Sequence, residues 1–309
     1  MFVNTEKKFI WKNGSFKKWS ESNVHILSHT LHYGTGVFEG VRAYKTSKGQ
    51  PAIFRLEEHT NRLFDAAKKI NIKIPYSKQE LNIAQCEVMS RNELFEGYIR
   101  PIVYLGNEGL GLRAKDLSVN VAIAAWEWPS YMDPKAKEKG ISIIKSSHMQ
   151  YENPIHSGNK IIGTYFSNTM ALHEALESGA DEALMMDKNG FISEGSGENI
   201  FLVKDGVIST PTTHNCLNGI TRQSVIQIAK NLGIKINEVD LKFEDLVNSD
   251  EAFFTGTAVE ITPITKLDGK PINKGERGSI TKELQKQFED IVSGNNQTYK
   301  HWLTHITHQ

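Results

Sequence analysis

The sequence predicts an α/β protein of two domains, and three observations support this. Segments in which apolar residues recur at helical spacing alternate with short runs that are typical of strands. The chain has 309 residues, a length that holds one large domain or two moderate ones. Two prolines and a shift in composition fall within residues 126–134. We therefore expect a linker at 128–138, a small domain at 1–127 and a larger one at 139–309.

The composition argues against several classes of protein. Lysine plus arginine number 36 and aspartate plus glutamate also number 36, so no net charge attracts nucleic acid or anionic lipid. Cys86 and Cys216 are too few for a disulfide framework and form no CxxC pair. No apolar run approaches the ~18 residues of a membrane span, and the first residues lack the apolar region of a signal peptide. These features predict a cytoplasmic protein with neither nucleic acid nor membrane as a partner.

Helical periodicity and stop signals predict five helices. Ser77 and Glu80 form a capping-box pattern, and Gly179 and Gly233 are stop signals. The expected helices are 57–70, 78–94, 165–179, 221–232 and 279–292. In the third of these we expect an apolar face, which consists of Phe166, Met170, Leu172 and Leu176.

Alternating and continuous apolar runs predict the strands. Asn13-Gly14 and Lys188-Asn189-Gly190 mark tight hairpin turns. Val119 to Ala125 is nearly continuously apolar, which predicts a strand buried on both faces. Tyr98 to Leu105 alternates instead, so Tyr98 and Arg100 share one face and can both point at one anion. Further strands are expected at 9–12, 15–19, 182–187, 191–193, 198–203, 207–209 and 252–254.

The stretch from Ser157 to Asn199 carries the strongest sign of chemistry. Glycines on both sides of Lys160 allow the backbone to bend closely around a ligand. A helix and a hairpin follow, and the returning strand leads Glu194 into the bend Gly195-Ser196-Gly197. A lone lysine is usually a surface residue, but this order of elements favours a functional role for Lys160.

Other patterns leave two interpretations open. Glycines alternate through His29 to Gly40, which indicates a close approach of the backbone to a ligand or to another chain. His29 and His32 have no third metal ligand at a recognised spacing, so we expect core or interface histidines. His301, His305 and His308 are expected in a frayed tail, with no metal site. The helix start after Gly219 and the bend from Thr255 to Ala258 both offer backbone amides to an anion.

Several motifs together resemble the class IV pyridoxal-phosphate aminotransferases, especially the branched-chain amino acid aminotransferases. Lys160, Tyr165 and ISEGSGEN at 192–199 form the central part of the match. Matches on both sides cover nearly the whole chain in order: HTLHYGTGVFEG at 29–40, HTNRL around Arg62, GYIRP at 97–101, LNGITR at 217–222 and FTGTAVEITP at 254–263. The resemblance implies the class IV aminotransferase fold, with a small α/β domain followed by a larger one.

The resemblance also implies pyridoxal 5'-phosphate as cofactor, bound as a Schiff base on Lys160. Glu194 then faces the pyridine nitrogen, and Tyr165 hydrogen-bonds the phenolic oxygen. Lys160, Glu194 and Tyr165 are the implied catalytic residues. The other implied cofactor-binding residues, most of them around the phosphate, are Arg62, Leu217, Ile220, Thr221 and Thr257.

By the same resemblance, the substrates are amino acids and 2-oxo acids that bind between aromatic walls. The implied lining residues are Phe38, Gly40, Tyr98, Arg100, Trp128, Tyr131, Thr257 and Ala258. Tyr33 and Leu112 match positions that reach in from a partner subunit, so we expect a homodimer or a larger homo-oligomer.

The expected reaction is transamination between leucine, isoleucine or valine and 2-oxoglutarate, which gives branched-chain 2-oxo acids and L-glutamate. Two other activities of the same fold stand as alternatives, those of a D-amino acid aminotransferase and of an aminodeoxychorismate lyase. A non-catalytic phosphate-binding protein is the alternative from a different class. The combination of Lys160, Tyr165 and Glu194 favours an enzyme.

Overall fold

The computed structural model describes residues 8–128, 135–150, 158–214 and 216–307. Within these ranges, no helix combines the length and the apolar character that crossing a bilayer requires. The helices are α1 His29–Tyr33, α2 Leu56–Lys69, α3 Lys78–Arg91, α4 Ala136–Lys139, α5 Tyr165–Glu177, α6 Ile220–Asn231, α7 Phe243–Val247 and α8 Ser279–Val292. The strands are β1 Phe9–Lys12, β2 Ser15–Lys18, β3 Gly36–Phe38, β4 Val41–Lys45, β5 Pro51–Phe54, β6 Gly97–Leu105, β7 Val119–Trp126, β8 Ile141–Lys145, β9 Glu182–Met186, β10 Ile192–Gly195, β11 Asn199–Lys204, β12 Val207–Thr210, β13 Ile236–Glu238, β14 Glu251–Gly256, β15 Glu260–Leu267, β16 Lys270–Pro271 and β17 Leu303–His305.

The chain divides into two compact units, each built from more than one segment. The first consists of Met1–Pro129, Asn159–Gly163 and Asp290–Gln309, and the second of Ser130–Gly158 and Thr164–Glu289. The sequence predicts continuous domains instead. The structure differs because backbone pairing ties two later pieces of chain into the first unit: Ile161 bridges to Val37, and β17 pairs with β5.

The first unit contains an antiparallel sheet. Among the described residues its order is β17-β5-β4-β6-β7-β1-β2, and β3 also pairs with β6. Helices α2 and α3 pack on it, and the predicted capping box of α3 is present, with Ser77 and Glu80 bonding reciprocally. Strand β7 was expected to be buried on both faces, and this is wrong. Only alternate residues are buried, because an antiparallel sheet hides one face against the helices.

The second unit contains a mixed sheet. Its order among the described residues is β10-β9-β8-β15-β14-β11-β12-β13, and β16 pairs with β15. Three of these pairs are parallel: β8 with β9, β8 with β15, and β12 with β13. The hairpin from β9 to β10 places Glu194 within β10, one step before the bend in which the sequence places it. Thr255 and Gly256 likewise complete β14, so the turn consists of residues 257–259.

The buried face of α5 differs from the expected one. Phe166 is 71% exposed and Leu176 is 55% exposed, whereas Ala171 and Ala175 are fully buried. The two alanines pack with Ala180, Ala183 and Met185. Small side chains let the helix lie close to the sheet, which larger apolar residues would prevent. Helical spacing of large residues therefore predicted the helix but not its buried side.

Residues 297–305 are ordered, contrary to the expected frayed tail, and His308 lies outside the described residues. Residues 297–302 form a 3₁₀ helix, and β17 adds an edge strand to the first sheet. Trp302 is buried edge-to-face against Phe54, with a centroid separation of 5.8 Å. The guanidinium carbon of Arg55 lies 5.0 Å from the Trp302 ring centroid. Apolar burial and strand pairing hold this segment in place, and neither is visible in a short local sequence.

Candidate active site

Strand β3 holds the backbone of Lys160 in the first unit. The Phe38 amide donates to the Lys160 carbonyl at 3.1 Å, and Val37 forms a bridge with Ile161. Gly34 has a φ of +65°, and a β-carbon there would lie 2.6 Å from Cα of Gly163. The alternating glycines therefore serve, at Gly34, a close approach to the segment that carries Lys160.

Lys160 is half-buried, and its amine lies near aromatic rings and groups of both charges. Its Nζ is 5.4 Å from the centroid of the Phe38 ring. Burial lowers the pKa of Lys160, and the nearby positive charge of Arg62 lowers it further. Glu39 and Tyr98 act in the opposite direction on this pKa, and Arg100 in the same direction as Arg62. A lysine with a lowered pKa is more often neutral, so its amine is a better nucleophile and base.

The first unit also assembles an aromatic wall from the residues that the sequence predicts to line the substrate. Rings of Tyr98 and Trp128 lie 4.6 Å apart, and Trp126 stacks on Trp128 at 5.6 Å. Gly40 is pressed against Tyr98, since a β-carbon there would lie 1.7 Å from the Tyr98 hydroxyl. Trp126 was not predicted as a site residue. Only its position on β7, paired with Tyr98 on β6, brings it here.

Arg100 lies beside these rings, on the same face of β6 as Tyr98. Its guanidinium carbon is 4.7 Å from the Phe38 ring centroid and 5.3 Å from that of Tyr98. Its Nη2 donates to the Tyr98 hydroxyl at 3.2 Å. Its Nε is buried and has no hydrogen-bond acceptor among the described residues. A buried charged donor of this kind is suited to receive an anionic group.

Glu39 and His59, which were not predicted as site residues, lie close to Arg62, the predicted phosphate ligand. Glu39 is almost fully buried and accepts hydrogen bonds from Arg62 Nε at 2.6 Å and from Arg62 Nη2 at 3.0 Å. Nδ1 of the buried His59 also lies 2.8 Å from a Glu39 oxygen. Burial alone would raise the pKa of Glu39, but Arg62 and His59 hold it well below its usual value. The spacing of His59 and Arg62 on one helix face was the available signal.

In the second unit, Glu194 is the centre of a buried hydrogen-bond network. One of its carboxylate oxygens accepts from Gln150 Nε2 at 2.5 Å. The other accepts from the Leu217 amide at 3.0 Å and from Asn199 Nδ2 at 3.4 Å. Asn199 also donates to the Leu217 carbonyl at 2.7 Å. Hydrogen bonds from several donors fix the orientation of this carboxylate.

A pair of acidic residues, Glu182 and Glu198, lies close to this network. Glu182 and Glu198 are both buried. Glu182 Oε1 accepts from the Ala183 amide at 2.7 Å, and Glu198 Oε2 accepts from the Gly197 amide at 3.0 Å. Burial raises the pKa of both carboxyls, and the charge of Glu182 raises the pKa of Glu198 further. Two buried carboxyls whose pKa values are both raised cannot both ionise readily, so we expect the pair to retain one proton.

We expect this retained proton to make stability fall as the pH rises. A carboxyl whose folded-state pKa is raised binds more protons in the folded than in the unfolded state above about pH 4.3. For one proton, the free energy of unfolding then drops by up to about 1.4 kcal/mol per pH unit. Denaturant unfolding between about pH 5 and about pH 8 measures the slope. Glu198→Gln should flatten it, and the exposed Glu177→Gln should not. An unchanged slope in Glu198→Gln would contradict the shared proton.

Backbone amides at two further places match the predicted anion-binding residues. Helix α6 begins at Ile220 after Gly219, and within the described residues no side chain caps this end. Ile220 and Thr221 are buried in its first turn. Backbone amides at a helix start attract anions. Thr257 and Ala258 are half-buried in the turn between β14 and β15.

The remaining predicted residues differ widely in their exposure to solvent. Tyr165 is the first residue of α5 and is half-buried. Tyr33 is 37% exposed, its ring 4.5 Å from that of His29, and Leu112 is 87% exposed. Tyr131 lies outside the described residues. His29 is a buried histidine, as expected, and its ring nitrogens lie 2.8 Å from Thr35 Oγ1 and 3.2 Å from the Gly111 carbonyl oxygen. The described residues contain no group of three side chains suited to a metal ion.

Known proteins share this sequence and fold along almost their whole length. Residues 36–267 match the family model of class IV amino-transferases. The chain is 48% identical over 296 residues to a branched-chain-amino-acid aminotransferase of Pseudomonas aeruginosa, which covers 96% of each chain. It is 41% identical over 307 residues to the corresponding protein of Escherichia coli strain K12, covering 98% of this chain and 99% of that one.

Solved structures agree with these sequence relatives. The crystal structure of the Escherichia coli branched-chain amino acid aminotransferase matches with a TM-score of 0.95 at 40% identity, covering 97% of this chain and 100% of that one. The T.th. branched-chain amino acid aminotransferase complexed with N-(5'-phosphopyridoxyl)-L-glutamate matches with a TM-score of 0.93 at 42% identity, covering 98% and 100%. These findings confirm the predicted fold. The chain belongs to the class IV aminotransferase family and, within it, to the branched-chain amino acid aminotransferases.

Proposed function

We propose that this protein catalyses pyridoxal 5'-phosphate-dependent transamination between branched-chain L-amino acids and 2-oxoglutarate. Arg100 carries the proposal, because it combines a buried donor without a protein acceptor among the described residues with an apolar aromatic setting. A pocket that accepts both leucine and glutamate needs both features. The names of the relatives support branched-chain amino acids as substrates.

The residues present fit pyridoxal 5'-phosphate. Lys160 supplies an amine with a lowered pKa, and Glu194 supplies an oriented carboxylate for the pyridine nitrogen. Arg62 and the amides of Ile220, Thr221 and Thr257 supply donors for a phosphate. A pyridoxamine 5'-phosphate complex of a structurally similar branched-chain aminotransferase supports the assignment. We also assign Tyr165 to the phenolic oxygen and Leu217 to cofactor binding.

When bound, pyridoxal 5'-phosphate acts as a sink for the electrons that are left on the substrate α-carbon after loss of a proton. Lys160 would hold the cofactor through its amine, with loss of one water, and its lowered pKa favours this attachment. Once displaced by the amino group of the substrate, the Lys160 amine would be the base that takes the proton from the substrate α-carbon, and the resulting ammonium would be the acid that returns this proton on the cofactor side.

Glu194 tunes the reaction through its charge. A carboxylate beside the pyridine nitrogen favours the protonated ring, which withdraws electrons more strongly. Gln150, Asn199 and the Leu217 amide hold the carboxylate in one orientation. The network prevents the Glu194 carboxylate from turning away, so it would remain available to a ring nitrogen.

The substrate side chain would meet the wall formed by Phe38, Tyr98 and Trp128, with Tyr131 as a further lining residue. Apolar side chains pack on the rings, and the side-chain carboxylate of glutamate pairs with Arg100. The turn at Thr257 and Ala258, together with the backbone at Gly40, would place the α-carboxylate. One wall thus serves both substrates of the exchange.

We further propose a homodimer or larger homo-oligomer, in which Tyr33 and Leu112 reach the partner's substrate. Their exposure supports this, as does that of Ile26 and Leu31, which are 73% and 59% exposed. Sedimentation should give at least twice the mass of one chain. A cytoplasmic location belongs to the same proposal and is supported by two free cysteines.

Arg100→Leu tests the dual-substrate proposal. Loss of a charged hydrogen bond of ~1.5–3 kcal/mol should slow the glutamate half-reaction by roughly 10- to 150-fold. Leucine and isoleucine should react almost as before, because the rings of the wall remain. Single-turnover spectroscopy with each amino acid measures both half-reactions directly.

A matched control is Arg91→Leu, which removes another arginine that lies over an aromatic ring, 4.1 Å from Phe16. It should leave both half-reactions unchanged. An equal loss for glutamate and leucine in Arg100→Leu would mean that Arg100 binds the shared α-carboxylate or supports the fold. A donor panel with both enantiomers would then test whether the enzyme acts on D-amino acids.

A further inference from the structure

Strand β3 connects two groups that the proposed reaction needs at a fixed separation. Phe38, its last residue, donates to the backbone carbonyl of Lys160. The next residue, Glu39, accepts two hydrogen bonds from the Arg62 guanidinium. Phe38 therefore fixes the backbone of Lys160, and the adjacent Glu39 fixes the side chain of Arg62, the proposed phosphate ligand. The amide of Glu39 is itself tied to the Pro101 carbonyl at 2.9 Å.

The Glu39 carboxylate is fully occupied by donors. Its Oε1 accepts from Arg62 Nε, and its Oε2 lies within hydrogen-bond distance of Arg62 Nη2, His59 Nδ1 and the Gly40 amide at 3.0, 2.8 and 3.1 Å. The two bonds to Arg62 use one edge of the guanidinium. That edge of the guanidinium is therefore turned toward Glu39 and not toward a phosphate. The contact with Glu39 thus selects which part of Arg62 faces a ligand.

The charges of this cluster cancel within the protein. Burial lowers the pKa of His59, so its ring is neutral and donates through Nδ1 to Glu39. Glu39 is ionised and Arg62 is positive, which leaves no net charge. Glu39 therefore weakens the long-range attraction of Arg62 for a phosphate while it fixes the direction of the guanidinium. These two effects change phosphate affinity in opposite directions, so an experiment can separate them.

We propose that Glu39, oriented by His59, is a positioning residue that fixes Arg62 in the direction needed to hold the cofactor phosphate. The inference rests on the proposed function, since it takes pyridoxal 5'-phosphate as the ligand. It concerns the binding of the cofactor and not the chemistry that follows. It can therefore be tested without any measurement of turnover.

The experiment measures binding of pyridoxal 5'-phosphate and of pyridoxal, which lacks the phosphate, to the full-length apoprotein by equilibrium dialysis. In Glu39→Gln, affinity for pyridoxal 5'-phosphate should fall about tenfold or more, the loss typical of a charged hydrogen bond. Affinity for pyridoxal should stay unchanged. Glu58→Gln is the matched control, because Glu58 pairs with the neighbouring Arg55 and not with Arg62.

A second pair of variants avoids changing the carboxylate. His59→Leu removes the donor to Glu39, whereas His59→Asn keeps an N–H group near the position of Nδ1. His59→Leu should show a phosphate-selective loss of several-fold, and His59→Asn should restore most of it. If Glu39→Gln fails to fold, these two His59 variants still test whether Arg62 must be positioned for phosphate binding.

Two results would overturn the inference. Tighter binding of pyridoxal 5'-phosphate by Glu39→Gln would show that Glu39 acts through its charge and not through position. Equal losses for pyridoxal 5'-phosphate and pyridoxal, without rescue by His59→Asn, would show a general structural role. Failure of the proposed function has a different signature: the wild-type apoprotein would bind pyridoxal 5'-phosphate as predicted but show no transfer from branched-chain donors. If the wild-type protein bound neither compound, both proposals would fail.

Discussion

Replacing Lys160 with alanine is expected to abolish transamination and to leave pyridoxal 5'-phosphate binding in place. The variant lacks the only group assigned to take the α-proton, so the rate should fall by about 10³-fold or more. The backbone hydrogen bond from Phe38 to the carbonyl of residue 160 does not involve the side chain and should persist. The phosphate donors and Glu194 also remain.

Steady-state assays with leucine and 2-oxoglutarate measure the rate of Lys160→Ala, and dialysis measures cofactor binding. Lys188→Ala serves as control, because Lys188 is exposed in the turn after β9. Lys188→Ala should match the wild type in both its rate and its cofactor binding. Near-normal turnover in Lys160→Ala would remove Lys160 from the mechanism. Loss of binding without any change in folding would mean that the amine, and not the phosphate, dominates affinity.

The second large effect is expected for Glu194→Gln, which keeps the shape of the side chain and removes its charge. The rate should fall on the order of 10²-fold or more, or about 3 kcal/mol of barrier. The physical reason is that an amide no longer favours the protonated pyridine ring. Pre-steady-state rates with leucine measure the chemical step directly.

The structure indicates that this variant can fold. The new amide oxygen can replace the oxygen that accepts from Leu217 and Asn199, while the new amide nitrogen faces Gln150. Gln150 Oε1 has no hydrogen-bond donor among the described residues, so a turn of its own amide can provide the acceptor. Glu177→Gln is the exposed control. An unchanged rate in a folded Glu194→Gln variant would make Glu194 a structural residue.

Sequence patterns predicted those elements whose signal is local. The capping box at Ser77 and the two hairpin turns depend on neighbours in sequence, and the structure has them where they were expected. Helix α8 also has its predicted bounds, Ser279–Val292. The buried side of α5 and the strand β17 depend on residues far away in the chain, and both predictions were wrong. Tertiary packing decides such features, and local propensity does not.

The candidate site shows the same division. Lys160, Glu194 and Arg100 stand in motifs, so the sequence identifies them as candidates. Glu39 was missed because its partners His59 and Arg62 are about 20 residues away and meet it only after β3 and α2 have packed. Glu182 and Glu198 were missed for a similar reason. Both read as ordinary strand-end residues until the fold buries them together.

The first unit is made of three separate pieces of chain, and this affects the order of events during synthesis. Its last piece, Asp290–Gln309, supplies the edge strand that pairs with Pro51–Phe54. Because synthesis runs from the N-terminus, this piece is made after the other two pieces of the first unit. Until residues 303–305 are available, β5 in the nascent chain lacks the strand that pairs with its edge. This edge of the first sheet therefore stays open to strand-to-strand association until the distant third piece has paired with it.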